Sequence, residues 1–205
     1  MLVMQLIRPI VRAIDWIPLA VAGTLAVMMA SLVEAGSALS VGTAFTLLRM
    51  MGVMLGAAAG FAVIDEMAAS TGAAPVSRRL LQWLRCGLGG LTAGLSWGTA
   101  CAIAAARLPQ GGQLKVAGMA AEAAVCVAIG LLTASAAGRA HHGRAAALAG
   151  MGGLLVIASV SLVLRGPYWP WLYPDEENWE VVHYGWLAVL PLVLAALHRA
   201  NRDLR

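Results

Sequence analysis

Charge is scarce in this chain. Only 12% of its 205 residues are charged, where a soluble domain carries roughly 25%. Lysine occurs once, as Lys115, and phenylalanine twice. The three cysteines, Cys86, Cys101 and Cys126, form no CxxC pair, and an odd number argues against a disulfide framework. They suit small apolar positions at helix contacts. The sequence has no GxxxxGK[ST], no GxSxG and no HExxH, so it carries neither an ATP-binding loop nor a hydrolase or zinc-protease signature of its own. Period-two alternation is missing as well, which argues against barrel strands. His141 and His142 are neighbours; ligands on a helix need a spacing of three or four to face one way. With no acid or cysteine beside them they do not read as a metal site. Asp65 and Glu66 diverge for the same reason, which weakens any reading of them as an acid/base pair.

What is present is long apolar runs. Trp16 to Val33, Cys86 to Ala106, Ala145 to Leu164 and Trp186 to Leu197 are uncharged; Glu34 to Asp65 is interrupted only by Arg49, and Val116 to Gly138 only by Glu122. A helix needs roughly 20 mainly apolar residues to cross the hydrocarbon core, and backbone facing lipid must be helical or closed into a barrel. The fold class expected is therefore an all-α membrane protein. Six spans are expected near 16–35, 41–64, 86–106, 115–137, 145–164 and 183–199, as one transmembrane domain over 1–205. Small residues after the first run (AGSAL, 35–39) suit a signal-peptidase site. That run is longer than a signal h-region, however, and starts after a 15-residue lead, so it reads as a helix.

Six spans put both termini on one side. That side holds Arg8, Arg12, Arg78, Arg79, Arg85, Arg139, Arg144, Arg199, Arg202 and Arg205, against Arg107, Lys115 and Arg165 on the other. The bias makes the termini cytoplasmic. The net charge of +4 then reports topology and contact with anionic membrane lipid, and gives no argument for nucleic acid. Residues 1–14, MLVMQLIRPIVRAI, can place Leu2, Ile7, Ile10, Val11 and Ile14 on one face and Arg8 and Arg12 on another. That suits a short interfacial helix, interrupted at Pro9.

Two ionisable residues lie inside expected spans. Arg49 and Glu122 each sit about 10–12 Å in from the same outer face at 1.5 Å per residue. At that depth a charge is costly unless paired or hydrated, so the two are expected to pair or to line one polar cavity. The alternative is that Arg49 snorkels outward and Glu122 marks a helix start. His183 and His198 stand near opposite ends of the last span.

The stretch RGPYWPWLYPDEENWEVVHYGW (165–186) concentrates all three tyrosines and four of the seven tryptophans, with four of the ten acids. Tyr168, Trp169, Trp171, Tyr173, Trp179 and Trp186 suit the headgroup level, and the acids at 175–177 suit water. Pro167, Pro170 and Pro174 forbid one continuous helix. The stretch reads as an anchor in the interface, or as a lid of short re-entrant helices over a pathway.

This layout resembles the permease subunit of export-type (type-2) ABC transporters. MLVMQLIRPIVRAI stands where that family has an interfacial connecting helix. DEMAASTGAAPVSRR stands where it has the coupling helix, and RGPYWPWLYPDEENWEVVHYGW where it has outer re-entrant helices. The run IDEMAASTGAAPVSRRLLQWLR and the end HRANRDLR are similar to actinobacterial permeases of this kind. The resemblance implies a bacterial cell-membrane exporter of an amphipathic or peptide-like substrate, acting as a homodimer or with a sister permease. ATP and magnesium would sit on a separate ATP-binding cassette subunit that grips the 65–77 loop through Asp65, Glu66, Ser70, Thr71, Pro75, Arg78 and Arg79. Two other classes stay open: an accessory or assembly subunit that transports nothing, and an intramembrane enzyme acting on lipid.

Overall fold

The structure is a computed structural model that describes residues 9–64 and 77–202. Its helices are α1 (Ile17–Leu32), α2 (Val41–Ala59, prolonged by a 3-10 turn, Gly60–Val63), α3 (Arg78–Ala106), α4 (Val116–Ala137), α5 (Arg144–Val163) and α6 (Trp179–Ala200). Five of these, α2 to α6, are long and apolar enough to cross a membrane. The first expected span is shorter than the sequence suggests: α1 has 16 residues, about 24 Å at 1.5 Å per residue against a core of about 30 Å. Glu34 ends it early by taking a positive φ of 53°, and its side chain then turns to the next helix. Its carboxylate accepts from the Ser40 N–H at 2.9 Å and the Thr43 hydroxyl at 3.0 Å.

The third span differs at its other end. α3 begins at Arg78 rather than at Cys86, capped by Ser77, whose hydroxyl accepts from Leu80 N–H at 3.4 Å. Arginine, leucine and glutamine are good helix formers, so RRLLQWLR continues the helix although its charge keeps it out of the apolar run. Residues 9–13, from Pro9 on, form a helical turn. There Ile10 and Ile14 pack against Ala62, Leu81, Leu84 and Leu88, while Val11 remains exposed. Residues 1–8 of the expected interfacial helix lie outside the described residues, as do Asp65, Glu66, Ser70, Thr71 and Pro75.

Polar contacts sort the helix termini into two ends. At one, Asp15 pairs with Arg144 at 3.1 Å, Arg79 meets His198 at 2.8 Å, and Arg139 donates to the carbonyls of Arg199 and Ala200. At the other, Arg107 donates to the Ala30 and Glu34 carbonyls, and Lys115 pairs with Glu180 at 3.0 Å. The second end is called outer below, after the charge asymmetry. α2 and α4 form the centre; α4 packs on α2, α5 and α6, and α3 on α1 and α2. The outward stripes are apolar, as with Ile17, Val21, Met28 and Leu32 on α1 and Leu91 and Leu95 on α3.

The central crossing depends on small residues. Gly52, Gly56 and Gly60 recur every four residues on α2 and meet Ala123, Cys126, Gly130 and Ala134 of α4. A Cβ on Gly130 would fall onto the Gly56 carbonyl oxygen. Membrane helices approach this closely only where side chains are small. Gly130→Ala is therefore expected to lower stability by at least about 2 kcal/mol through overpacking. Gly87→Ala, where an added Cβ meets nothing, should change it by less than about 1 kcal/mol. Unfolding in mixed micelles measures both.

Candidate functional site

The glycine crossing fixes what lies above it. Arg49 stands three and seven residues before Gly52 and Gly56, and Glu122 four and eight before Cys126 and Gly130. Both therefore ride on the packing stripes of their helices, at matching depth from the outer end. They meet as a two-pronged pair: Arg49 Nε donates to Glu122 Oε2 at 2.9 Å and Nη2 to Oε1 at 3.0 Å. Their side chains are 9% and 2% exposed. A planar guanidinium matches a carboxylate in this way, where a lysine would act as a point charge.

A third ionisable group completes the cluster. His183 of α6 is buried, with Nε2 2.8 Å from Glu122 Oε1 and Nδ1 2.7 Å from the Trp179 carbonyl. Trp179, one turn earlier, stacks on the imidazole with ring centroids 3.6 Å apart and receives the edge of Phe45 at 5.6 Å. Room for the imidazole comes from Gly118 on α4, where a Cβ would stand 2.6 Å from His183 Cδ2. Sequence reasoning placed His183 only near a helix end. The missed signal was spacing: Trp179 and His183, like Gly118 and Glu122, are four apart and share a helix face.

The aromatic stretch folds onto this cluster. Between α5 and α6 the chain runs as a succession of turns, in place of the paired re-entrant helices the family resemblance implies; three prolines in eight residues break each attempt at a helix. Arg49 donates to the Trp171 carbonyl at 2.7 Å and also to that of Leu172. Its guanidinium lies 5.3 to 5.9 Å from the ring centres of Trp171, Tyr173 and Trp179, within cation–π range. Polar edges of the aromatics fix the rest. Trp169 and Trp171 donate to the Ser161 carbonyl and hydroxyl at 3.0 and 2.8 Å. Trp186 donates to the Pro170 carbonyl at 2.9 Å, and the Tyr173 and Thr46 hydroxyls lie 3.2 Å apart.

Six residues were expected in the outer stretch. Trp171 and Trp179 are buried, Trp169 and Trp186 half-buried, Tyr168 and Tyr173 exposed, and the acids Asp175, Glu176 and Glu177 face outward. Of the expected coupling residues only Arg79 has a described side chain, and it lies at the inner end against His198, far along α3 from the cluster. Among the described residues no three His, Cys, Asp or Glu side chains gather in a way that could hold a metal ion. No family model, curated protein or solved structure matches this chain.

The pairing has an energetic signature. Arg49→Met leaves Glu122 buried without its two-pronged partner, and breaking a buried pair costs roughly 3–5 kcal/mol. Adding Glu122→Gln to that variant should recover part of the loss, because the carboxyl group deprived of its guanidinium is gone. Unfolding curves of the two single variants and the double variant measure the difference.

Proposed function

We propose that this chain is the membrane permease subunit of an ATP-driven exporter, and that the Arg49–Glu122–His183 cluster latches the outer stretch over the external end of its pathway. The observation that carries the latch is that one buried guanidinium serves two elements at once. It pairs with Glu122 on α4 and donates to the Trp171 and Leu172 carbonyls of the covering stretch. Intramembrane ionisable groups mark function more often than not, and a change of partner by Arg49 would leave the cover only its tryptophan and tyrosine contacts. An apolar groove of about 610 Å³ runs between α3 and α6 with α4 as its floor. Leu91 and Leu194 of its lining are exposed, as an amphipathic or peptide-like substrate entering from the bilayer would require.

In this reading the termini face the bacterial cytoplasm. A separate ATP-binding cassette subunit carrying ATP and magnesium docks on residues 65–77, and the chain acts as a homodimer or beside a sister permease. The ATPase partnership rests on the resemblance in layout. An accessory subunit is the second reading, favoured by a different feature: each arm of the cluster already finds its partner inside the chain, which suits a fixed structural role equally well.

Purification of the tagged full chain from its host in mild detergent separates the two. The permease reading expects a stoichiometric partner that hydrolyses ATP and is lost when 65–77 is replaced by Gly/Ser. A chain that purifies alone, or only with other membrane proteins, contradicts it and supports the accessory role.

A further inference from the structure

The hydrogen bonds of His183 require more protons than a neutral histidine beside a carboxylate supplies. The Trp179 carbonyl oxygen can only accept, so Nδ1, 2.7 Å away, must carry a hydrogen. Between Nε2 and Glu122 Oε1, at 2.8 Å, one further hydrogen is needed, on either atom. A neutral imidazole has one N–H to offer and an ionised carboxylate none. With the hydrogen on Nδ1, the Nε2 lone pair would face an oxygen lone pair; with it on Nε2, the Nδ1 lone pair would face the carbonyl. The opposite ring orientation would present carbon atoms to both oxygens. A buried polar contact of this kind left unsatisfied is destabilising, and His183 is 5% exposed.

We infer that Glu122 and His183 together form a proton-binding site, which holds one proton beyond carboxylate and neutral imidazole while the outer stretch is closed. The inference rests on the latch reading of the same cluster and names its ligand. The proton resides as imidazolium beside carboxylate, or as neutral imidazole beside carboxylic acid; moving it along the Nε2–Oε1 line interconverts the two and leaves the cluster's charge unchanged.

The surroundings accept that charge. With Arg49 the cluster carries one net positive charge, and what faces it is electron-rich: the carbonyls of Trp171, Leu172 and Trp179 and the faces of Trp171, Tyr173 and Trp179. The Trp179 ring stacks on the imidazole with centroids 3.6 Å apart. Among the described residues, the ionisable groups around the imidazole are Arg49 from α2 and Glu122 from α4, with Cys126 one turn further in. Tyr173 comes from the covering stretch, and Lys115, at the N-cap of α4, stands 5.4 Å from the Trp179 ring centre and pairs with Glu180 of α6 at the rim. Loss of the proton to water would leave one of the two ring contacts without its hydrogen; where that is the Nε2–Oε1 contact, α6 loses its bond to the carboxyl group that Arg49 shares. The site thus gives the latch a dependence on proton binding.

The test is made on the full-length chain, labelled with ¹⁵N-histidine, in phosphatidylcholine–phosphatidylglycerol bilayers at neutral pH. Solid-state NMR reads the ring nitrogens, and infrared difference spectra against Glu122→Gln read the carboxyl group. The expected result is a buried histidine with both nitrogens protonated and Glu122 ionised, or with only Nδ1 protonated and Glu122 present as the acid. His183 is distinguished from His141, His142 and His198 by slow exchange with water, so no destabilising variant is needed to assign it. One protonated ring nitrogen together with an ionised Glu122 overturns the proposal. Hydrogen exchange of residues 165–178 on the same samples judges the latch separately. A protected stretch with the wrong proton count defeats only the proton site, and an unprotected stretch defeats the latch itself.

Discussion

A carboxylate carried two helical turns into an apolar bundle must find donors there, because lipid supplies none. Glu122 finds them on two other helices, and much of the outer half of this molecule follows from that requirement. Its oxygens draw Arg49 of α2 and His183 of α6 to one point. Arg49 has five N–H groups to satisfy, and those left over reach the backbone of the stretch between α5 and α6. The cover is thus attached through the donors that the ion pair does not use.

The attachment depends in turn on residues without side chains. Gly56 and Gly130 bring the α2 and α4 backbones into contact, and at that separation Arg49 and Glu122 meet directly. Gly118 leaves the space that the imidazole of His183 fills. Small residues at the crossing and charged residues above it are therefore one arrangement. Opening the crossing would lengthen the buried ion pair, and removing the ion pair would leave the outer stretch only its tryptophan and tyrosine contacts.

The helical, membrane-type class was legible because uncharged runs are unmistakable in composition. The bounds of α2, α4 and α5 lie close to the apolar runs that suggested them. Elsewhere hydropathy misled, since it measures transfer to lipid and not helicity. α3 continues through RRLLQWLR because those residues favour helix, and α1 stops at Leu32 because Glu34 turns back to serve Ser40 and Thr43. In the site, depth along two helices suggested that Arg49 and Glu122 share a level. The spacing of four puts Trp179 with His183, and Gly118 with Glu122, on one helix face each, but that the two faces meet depends on how α6 packs against α4. The aromatic stretch was recognisable as an outer feature; its attachment to Arg49 is made by main-chain carbonyls, which no residue type announces.

The claim that the buried guanidinium holds the outer stretch closed is tested most directly by amide hydrogen exchange, comparing the native chain with Arg49→Met in the same bilayer. The account predicts that residues 165–178 are protected in the native chain and exchange at least about tenfold faster in the variant, a change of about 1.4 kcal/mol in opening free energy. Over the same comparison the inner halves of α2 and α4 should keep their protection. Equal protection of 165–178 in both proteins would contradict the account, because the stretch would then be held by its own tryptophan and tyrosine contacts.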